Sequence, residues 1–170
     1  MTEDFDTIIE QIQALRRRGL GGERAAYAQG QAMVAAAMDA VTGADRARIL
    51  CQKAQLARDL GQVDEALTAY DEAVAIWRKA ANGQGLAYAL RHMADIQVGE
   101  GRAEAALPFI DEALGLLSTA DVLTRANALR VKALALEGLG RPAREAWAEA
   151  RALYAEAGVD AGAAECDRHL

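Results

Sequence analysis

Proline is nearly missing from this 170-residue chain, which has 2 of them, 2 cysteines and 2 histidines. So little proline leaves almost the whole length free of helix breakers. Cys51 and Cys166 stand far apart in sequence, which is no disulfide framework. His92 and His169 leave little material for a catalytic base, and no HExxH, GxSxG or glycine-rich phosphate loop occurs. Cys166 and His169 have Cys-x-x-His spacing, but no second ligand pair accompanies them, so no metal site is expected. Long runs of Val, Ile and Thr with alternating polarity are lacking, which excludes a sheet. No apolar run approaches the roughly 18 to 20 residues that a bilayer span requires. The start, Met1 to Asp6, is acidic and lacks the basic-then-apolar layout of a secretory leader. With 19 basic and 25 acidic side chains the net charge is -6, a field that repels phosphate backbones and anionic membranes. These absences predict a cytoplasmic chain that is no enzyme, holds no cofactor, and binds neither nucleic acid nor membrane.

What is present is helical material. Hydrophobic residues make up 52% of the chain and aromatics only 5%, so most of the apolar content is Ala and Leu. Both favour helix, and Ala lets helices approach closely. Gly21, Gly61, Gly101 and Gly140 recur at separations of 40, 40 and 39 residues, and each lies between two apolar-periodic stretches, as a helix stop does. Thr42-Gly43, Asn82-Gly83, Ser118 to Asp121 and Gly158 to Asp160 form a second set of breaks, in which Asp121 and Asp160 are candidate N-caps. The predicted helices run over 3–18, 23–41, 44–60, 63–81, 84–98, 103–118, 121–138, 142–157 and 160–169. Ala66, Leu67, Tyr70, Ala73, Val74 and Trp77 form an apolar stripe that Ala106, Leu107, Ile110, Ala113, Leu114 and Leu117 repeat 40 residues later. Pro108 falls inside a helix and is expected to cost one hydrogen bond and to bend it. The fold class is all-α, in a single domain spanning 1–170.

The stretch Gly61-Gln62-Val63-Asp64-Glu65-Ala66-Leu67-Thr68-Ala69-Tyr70 resembles the second half of a tetratricopeptide repeat, and Gly101 to Leu107 keeps its pattern of small and large residues. Ala54, Ala94 and Ala133 fall where that family places a small residue between paired helices, with Ala14 the equivalent in a divergent first repeat. The spacing is that of the longer-repeat members, about 40 residues per unit rather than about 34. The resemblance implies a right-handed superhelical array of about four antiparallel helix pairs, closed by a short C-terminal capping helix. It also implies a protein- or peptide-binding adaptor or scaffold, whose concave face is lined by the first helix of each pair.

Counted from those small alanines, the face would carry Arg48, Cys51, Gln55 and Arg58, then Tyr88, Arg91 and Asp95, then Asn127 and Arg130. Spacings of three and four put the members of each group on one side of their helix. Arg48, Arg58, Arg91 and Arg130 make a cationic strip suited to acidic groups of a protein or peptide partner, through charge-assisted hydrogen bonds. The competing reading is solvated arginine paired locally, as Arg91 and Asp95 would be at i,i+4. The subtype that clamps chaperone tails is not reproduced, because Gln11 and Leu15 occupy its positions in the first repeat. An alternative role is a structural subunit that self-associates as a homo-oligomer through its ends or convex side. Phe5, Ile8, Ile9, Met33 and Met38 would then supply apolar contact, weighed against service as ordinary core.

Overall fold

The structure is a computed structural model that describes residues 4–170. The acidic start at Met1 to Glu3, and with it the first residue of the first predicted helix, lies outside the described residues. Among the described residues all regular structure is helical: α1 (Phe5–Leu20), α2 (Ala25–Met38), α3 (Gly43–Asp59), α4 (Val63–Lys79), α5 (Gly83–Gly99), α6 (Ala103–Leu116), α7 (Val122–Gly138), α8 (Arg144–Glu156) and α9 (Asp160–Asp167). Four helix pairs in sequence are followed by one short helix, as the periodicity predicts. The chain forms two compact units, Met1–Gly85 and Leu86–Leu170.

In the first unit α1 packs on α2, α3 packs on α4, and α3 also lies against both helices of the first pair. Ile9, Ile12, Tyr27, Val34, Ala37, Ile49 and Leu56 form the buried cluster where the two pairs meet, and Phe5, Ile8, Met33 and Met38 cover it. The residues weighed as apolar contacts for self-association are therefore core or the cover of core. Ala54, Ala66 and Ala73 have no exposed surface, so the α3–α4 pair closes on side chains without bulk beyond Cβ.

In the second unit α7 packs between α6 and α8, and α9 packs on α8. Ala126, Leu129, Ala133, Ala146, Trp147, Ala150, Tyr154 and Cys166 form its buried cluster. Trp147 is fully enclosed; a large apolar side chain buried in this way stabilises the fold by roughly 1.5–3 kcal/mol.

The helix ends follow one repeated scheme. After α3, the Gly61 amide donates to the Arg58 carbonyl and the Gln62 amide to the Ala57 carbonyl, both at 2.9 Å. This is the paired closure that satisfies the last carbonyls of a helix and needs one left-handed residue. Gly61, Gly101 and Gly140 supply it, with φ of 76°, 70° and 64°. At the first turn the structure corrects the reading: Gly21 has φ -75°, and the left-handed residue is its neighbour Gly22 at φ 103°. After α4 the same closure uses Ala81 at φ 52°, with Ala81 and Asn82 amides donating to the carbonyls of Arg78 and Trp77.

Two predicted caps also move. Asp121 stands just before α7, but its Oδ2 accepts from the Ser118 amide at 2.9 Å and the Ser118 hydroxyl at 2.8 Å, holding the turn rather than capping the helix. Asp160 lies inside the first turn of α9, where its charge suits the positive end of the helix, and Val159 takes the cap position. Asn82 performs the capping role instead, its Oδ1 accepting from the Gly85 amide at 2.8 Å. Pro108 lies within α6, so the Glu104 carbonyl one turn back receives no amide from it.

Candidate functional site

Each predicted face residue can now be placed. In the first unit, Arg48 of α3 reaches α1: its Nη2 donates to Asp6 Oδ1 at 2.6 Å and its guanidinium lies 4.9 Å from the centroid of the Phe5 ring. A further contact with Asp45 at 3.7 Å comes from its own helix. Arg58 sits 3.7 Å from Asp59, which is nearly buried. Cys51 and Gln55 are buried, so they form the floor beneath this face rather than its surface. Burial pushes the Cys51 thiol up to about 12, with a weaker opposing influence from the Trp77 indole. That disfavours the thiolate at neutral pH.

The second unit brings its face residues closer together. Arg91 of α5 donates from Nη2 to His92 Nε2 at 2.7 Å, and its guanidinium lies 5.8 Å from the Tyr88 ring centroid. Because guanidinium only donates, His92 Nε2 is the acceptor. Tyr88 meets the His92 ring edge-on at 4.5 Å. On α7, Asn127 Oδ1 accepts from the Tyr154 hydroxyl at 2.8 Å. Arg130 makes a two-pronged pair with Glu165 of α9, at 2.8 Å from Nε and 2.7 Å from Nη2. That hydrogen bond is the main cause that raises the Arg130 pKa, and it holds Glu165 below the usual carboxylate range against a modest desolvation cost. Asp95 adds a weaker favourable field at Arg130, and Tyr154 feels the positive charge of both Arg130 and Arg91. Asp95 thus lies within charge range of Arg130, and Arg91 and Arg130 within charge range of Tyr154, which is itself buried.

Two features of this surface escape the sequence reading. The first is α9, read only as a cap. Gly85-Leu86-Ala87-Tyr88-Ala89-Leu90-Arg91-His92 is echoed by Gly162-Ala163-Ala164-Glu165-Cys166-Asp167-Arg168-His169, with glycine, alanine, arginine and histidine in register. The packing repeats too: a Cβ on Gly85 would meet the Trp77 ring at 2.6 Å, and one on Gly162 would meet the Tyr154 ring at 2.6 Å. So α9 takes up the start of a further first helix, and Glu165 stands where Tyr88 and Asn127 stand earlier. The echo was available in the sequence. The second feature is a pair of arginines at one register position: Arg46 Nη1 donates to the Met38 carbonyl and Arg125 Nη1 to the Leu117 carbonyl, each closing the end of the preceding helix.

The end of the chain is tied down by a second polar group. Glu137 Oε1 accepts from Trp147 Nε1 at 2.8 Å and lies 3.0 Å from His169 Nδ1, while the His169 and Trp147 rings stack at 4.1 Å. Cys166 is fully buried on the same short helix. The Cys166 and His169 pair therefore serves packing and docking of α9. In the first unit, Val34, Ala35, Met38, Leu56 and Ala57 line a mainly apolar pocket of about 390 Å³, together with Lys53 and Glu65. None of the described helices is long and apolar enough to cross a membrane.

Comparison with known proteins agrees with this architecture. The tetratricopeptide repeat family model matches residues 45–119. A comparison with curated protein sequences finds no match. Among solved structures, aspartyl phosphate phosphatase F from Bacillus subtilis superposes with a TM-score of 0.77 over 98% of this chain at 13% identity. The chain spans 45% of the length of that protein. Kinesin light chain nearly identical TPR-like repeats from Podosopora anserina give a TM-score of 0.64 at 16% identity, covering 98% of this chain and 94% of that one. BtubC (BKLC) from P. vanneervenii gives 0.53 at 15% identity, covering 96% and 87%. At these identities the likeness is one of fold. Residues 45–119 thus match the tetratricopeptide repeat model, and the helix pairs, their left-handed turns and the enclosed alanines between α3 and α4 give the chain a fold similar to that of tetratricopeptide repeat proteins.

Proposed function

We propose that this chain is a polypeptide-binding scaffold, working as one module, in which the first helices of the repeats present the recognition surface. The tetratricopeptide repeat fold supports a protein partner. The observation that supports the finer reading is Arg91 beside Tyr88 on α5, with Arg130 and Asp95 close enough to each other for their charges to interact. A planar guanidinium beside a partly exposed tyrosine, as Arg91 is beside Tyr88, suits extended peptide, because it grips carboxylate and backbone oxygens while the ring buries flat apolar surface. Arg48 and Arg58 supply the corresponding groups on α3, above the buried Cys51 and Gln55. Preformed helices keep the ordering cost of binding low. No step of bond chemistry is assigned to the surface.

The test is partner capture from native lysate by wild type and by Arg91→Glu/Arg130→Glu, with helicity and melting followed in parallel. Loss of capture by a folded double variant supports the face. Undiminished capture by a folded double variant rejects it.

A further inference from the structure

We infer that Glu165 is a built-in competitor for the acidic group of a ligand at Arg130, and so sets the specificity of this surface. The inference rests on the proposed peptide-binding role of the second unit. Four observations carry it. Arg130 was singled out as a carboxylate receptor, and the structure shows a carboxylate on it, in the two-pronged geometry that an Asp, a Glu or a chain terminus of a partner would adopt. Both partners remain open to solvent, with side-chain exposures of 31% and 26%, so exchange for an incoming carboxylate needs only a side-chain rotation. Glu165 stands at the register position of Tyr88 and Asn127, which makes it a member of the same face rather than a remote surface residue. Finally, α9 is anchored without it, through buried Cys166, the close fit of Gly162 under Tyr154, the Arg151–Asp167 pair, and His169 on Glu137 and Trp147.

The consequence is a filter. A ligand carboxylate at Arg130 must replace a bond that already exists, and it enters beside Glu165 and Asp95, which repel it. Weakly acidic or neutral segments gain little there, and only a ligand that adds contacts at Arg91, Tyr88 or Asn127 overcomes the internal carboxylate. Neutralising Glu165 lifts the filter while keeping its shape.

The probe is a fluorescein-labelled hexaglutamate peptide, with hexaglutamine as the uncharged control, followed by anisotropy at low salt. Glu165→Gln is expected to bind hexaglutamate about three- to tenfold more tightly than wild type, the range set by a partly exposed charged pair. Glu165→Gln/Arg130→Ala should lose that gain, and hexaglutamine should not discriminate the variants. Equal hexaglutamate affinity for wild type and Glu165→Gln overturns the inference, as does a gain that survives removal of Arg130. If that equality comes with weakened binding in Arg91→Glu, the competitor role falls and the binding face stands. Binding by neither protein overturns the inference too, and the face is then judged by the capture experiment. A thermal melt of Glu165→Gln, expected within a few degrees of wild type, checks that α9 stays docked.

Discussion

Gly162 lies against the face of Tyr154, so close that a Cβ at residue 162 would meet ring carbons at 2.6–2.8 Å. Tyr154 cannot withdraw freely, since it is buried and its hydroxyl is held by Asn127. Glycine inside a helix costs about 1 kcal/mol relative to alanine, so its presence in α9 reflects lack of room. Gly162→Ala is therefore expected to lower stability by about 1–3 kcal/mol, the usual cost of overpacking, despite its better helix propensity. Gly115→Ala is the control: nothing beyond the local helix backbone lies within 4 Å of a Cβ there, so stability should rise by about 0.5–1 kcal/mol. Denaturant melts of both variants read the contrast. Equal effects would show that propensity, and not the Tyr154 contact, governs residue 162.

Ala81 is the turn residue that breaks the glycine scheme, with φ 52° where the turns after α3, α5, α7 and α8 use Gly61, Gly101, Gly140 and Gly158. An L-residue in this region costs roughly 1–2 kcal/mol, partly offset because glycine has more freedom to lose on folding. Ala81→Gly should raise stability by up to about 1 kcal/mol, while Gly101→Ala should lower it by about 1–2 kcal/mol. Paired melting curves check both signs.

Asp59 ties α3 back to α1. Its carboxylate accepts from Arg16 Nε at 2.5 Å and from Arg16 Nη2 at 3.1 Å, and its side chain is 6% exposed. Asp59→Ala should cost about 1–3 kcal/mol, less than for a fully buried pair because Arg16 keeps some access to water. Arg16→Met/Asp59→Leu should recover part of that loss, since no uncompensated charge then remains. A double-mutant cycle in urea isolates the coupling.

The Arg130–Glu165 pair has a pH signature. Glu165 titrates below its ordinary value of 4.5 in the folded chain, so the unfolded chain takes up its proton first as pH falls. Its contribution is fully present above about pH 4.5 and fades as pH drops through the lower folded value. The stability difference between wild type and Glu165→Gln should hold constant from pH 7 to 5 and shrink towards pH 3. A difference that does not change over that range would remove the carboxylate pair as its source.

How much of this was legible beforehand differs by level. Helix existence and order followed from the recurrence of Gly61, Gly101 and Gly140 and from apolar stripes at helical spacing, because local propensity and periodicity suffice for both. Small errors arose where two local solutions compete, as between Gly21 and Gly22, or Asp121 and Asn82. The α5–α9 echo was legible as well, but its meaning rests on Gly162 meeting Tyr154, a contact between two helices.

The sequence by itself determined that this chain is a series of helix pairs with turns about 40 residues apart, because each of those features is written in neighbouring residues. Only tertiary structure decided what the face residues touch. Arg48 meets Asp6 from 42 positions away, Arg130 meets Glu165 from 35, and Asn127 meets Tyr154 from 27. Local spacing rules look for an arginine's partner on its own helix, as Asp45 is for Arg48; packing also brings Arg48 and Arg130 against carboxylates of other helices, whose positions no local rule can supply.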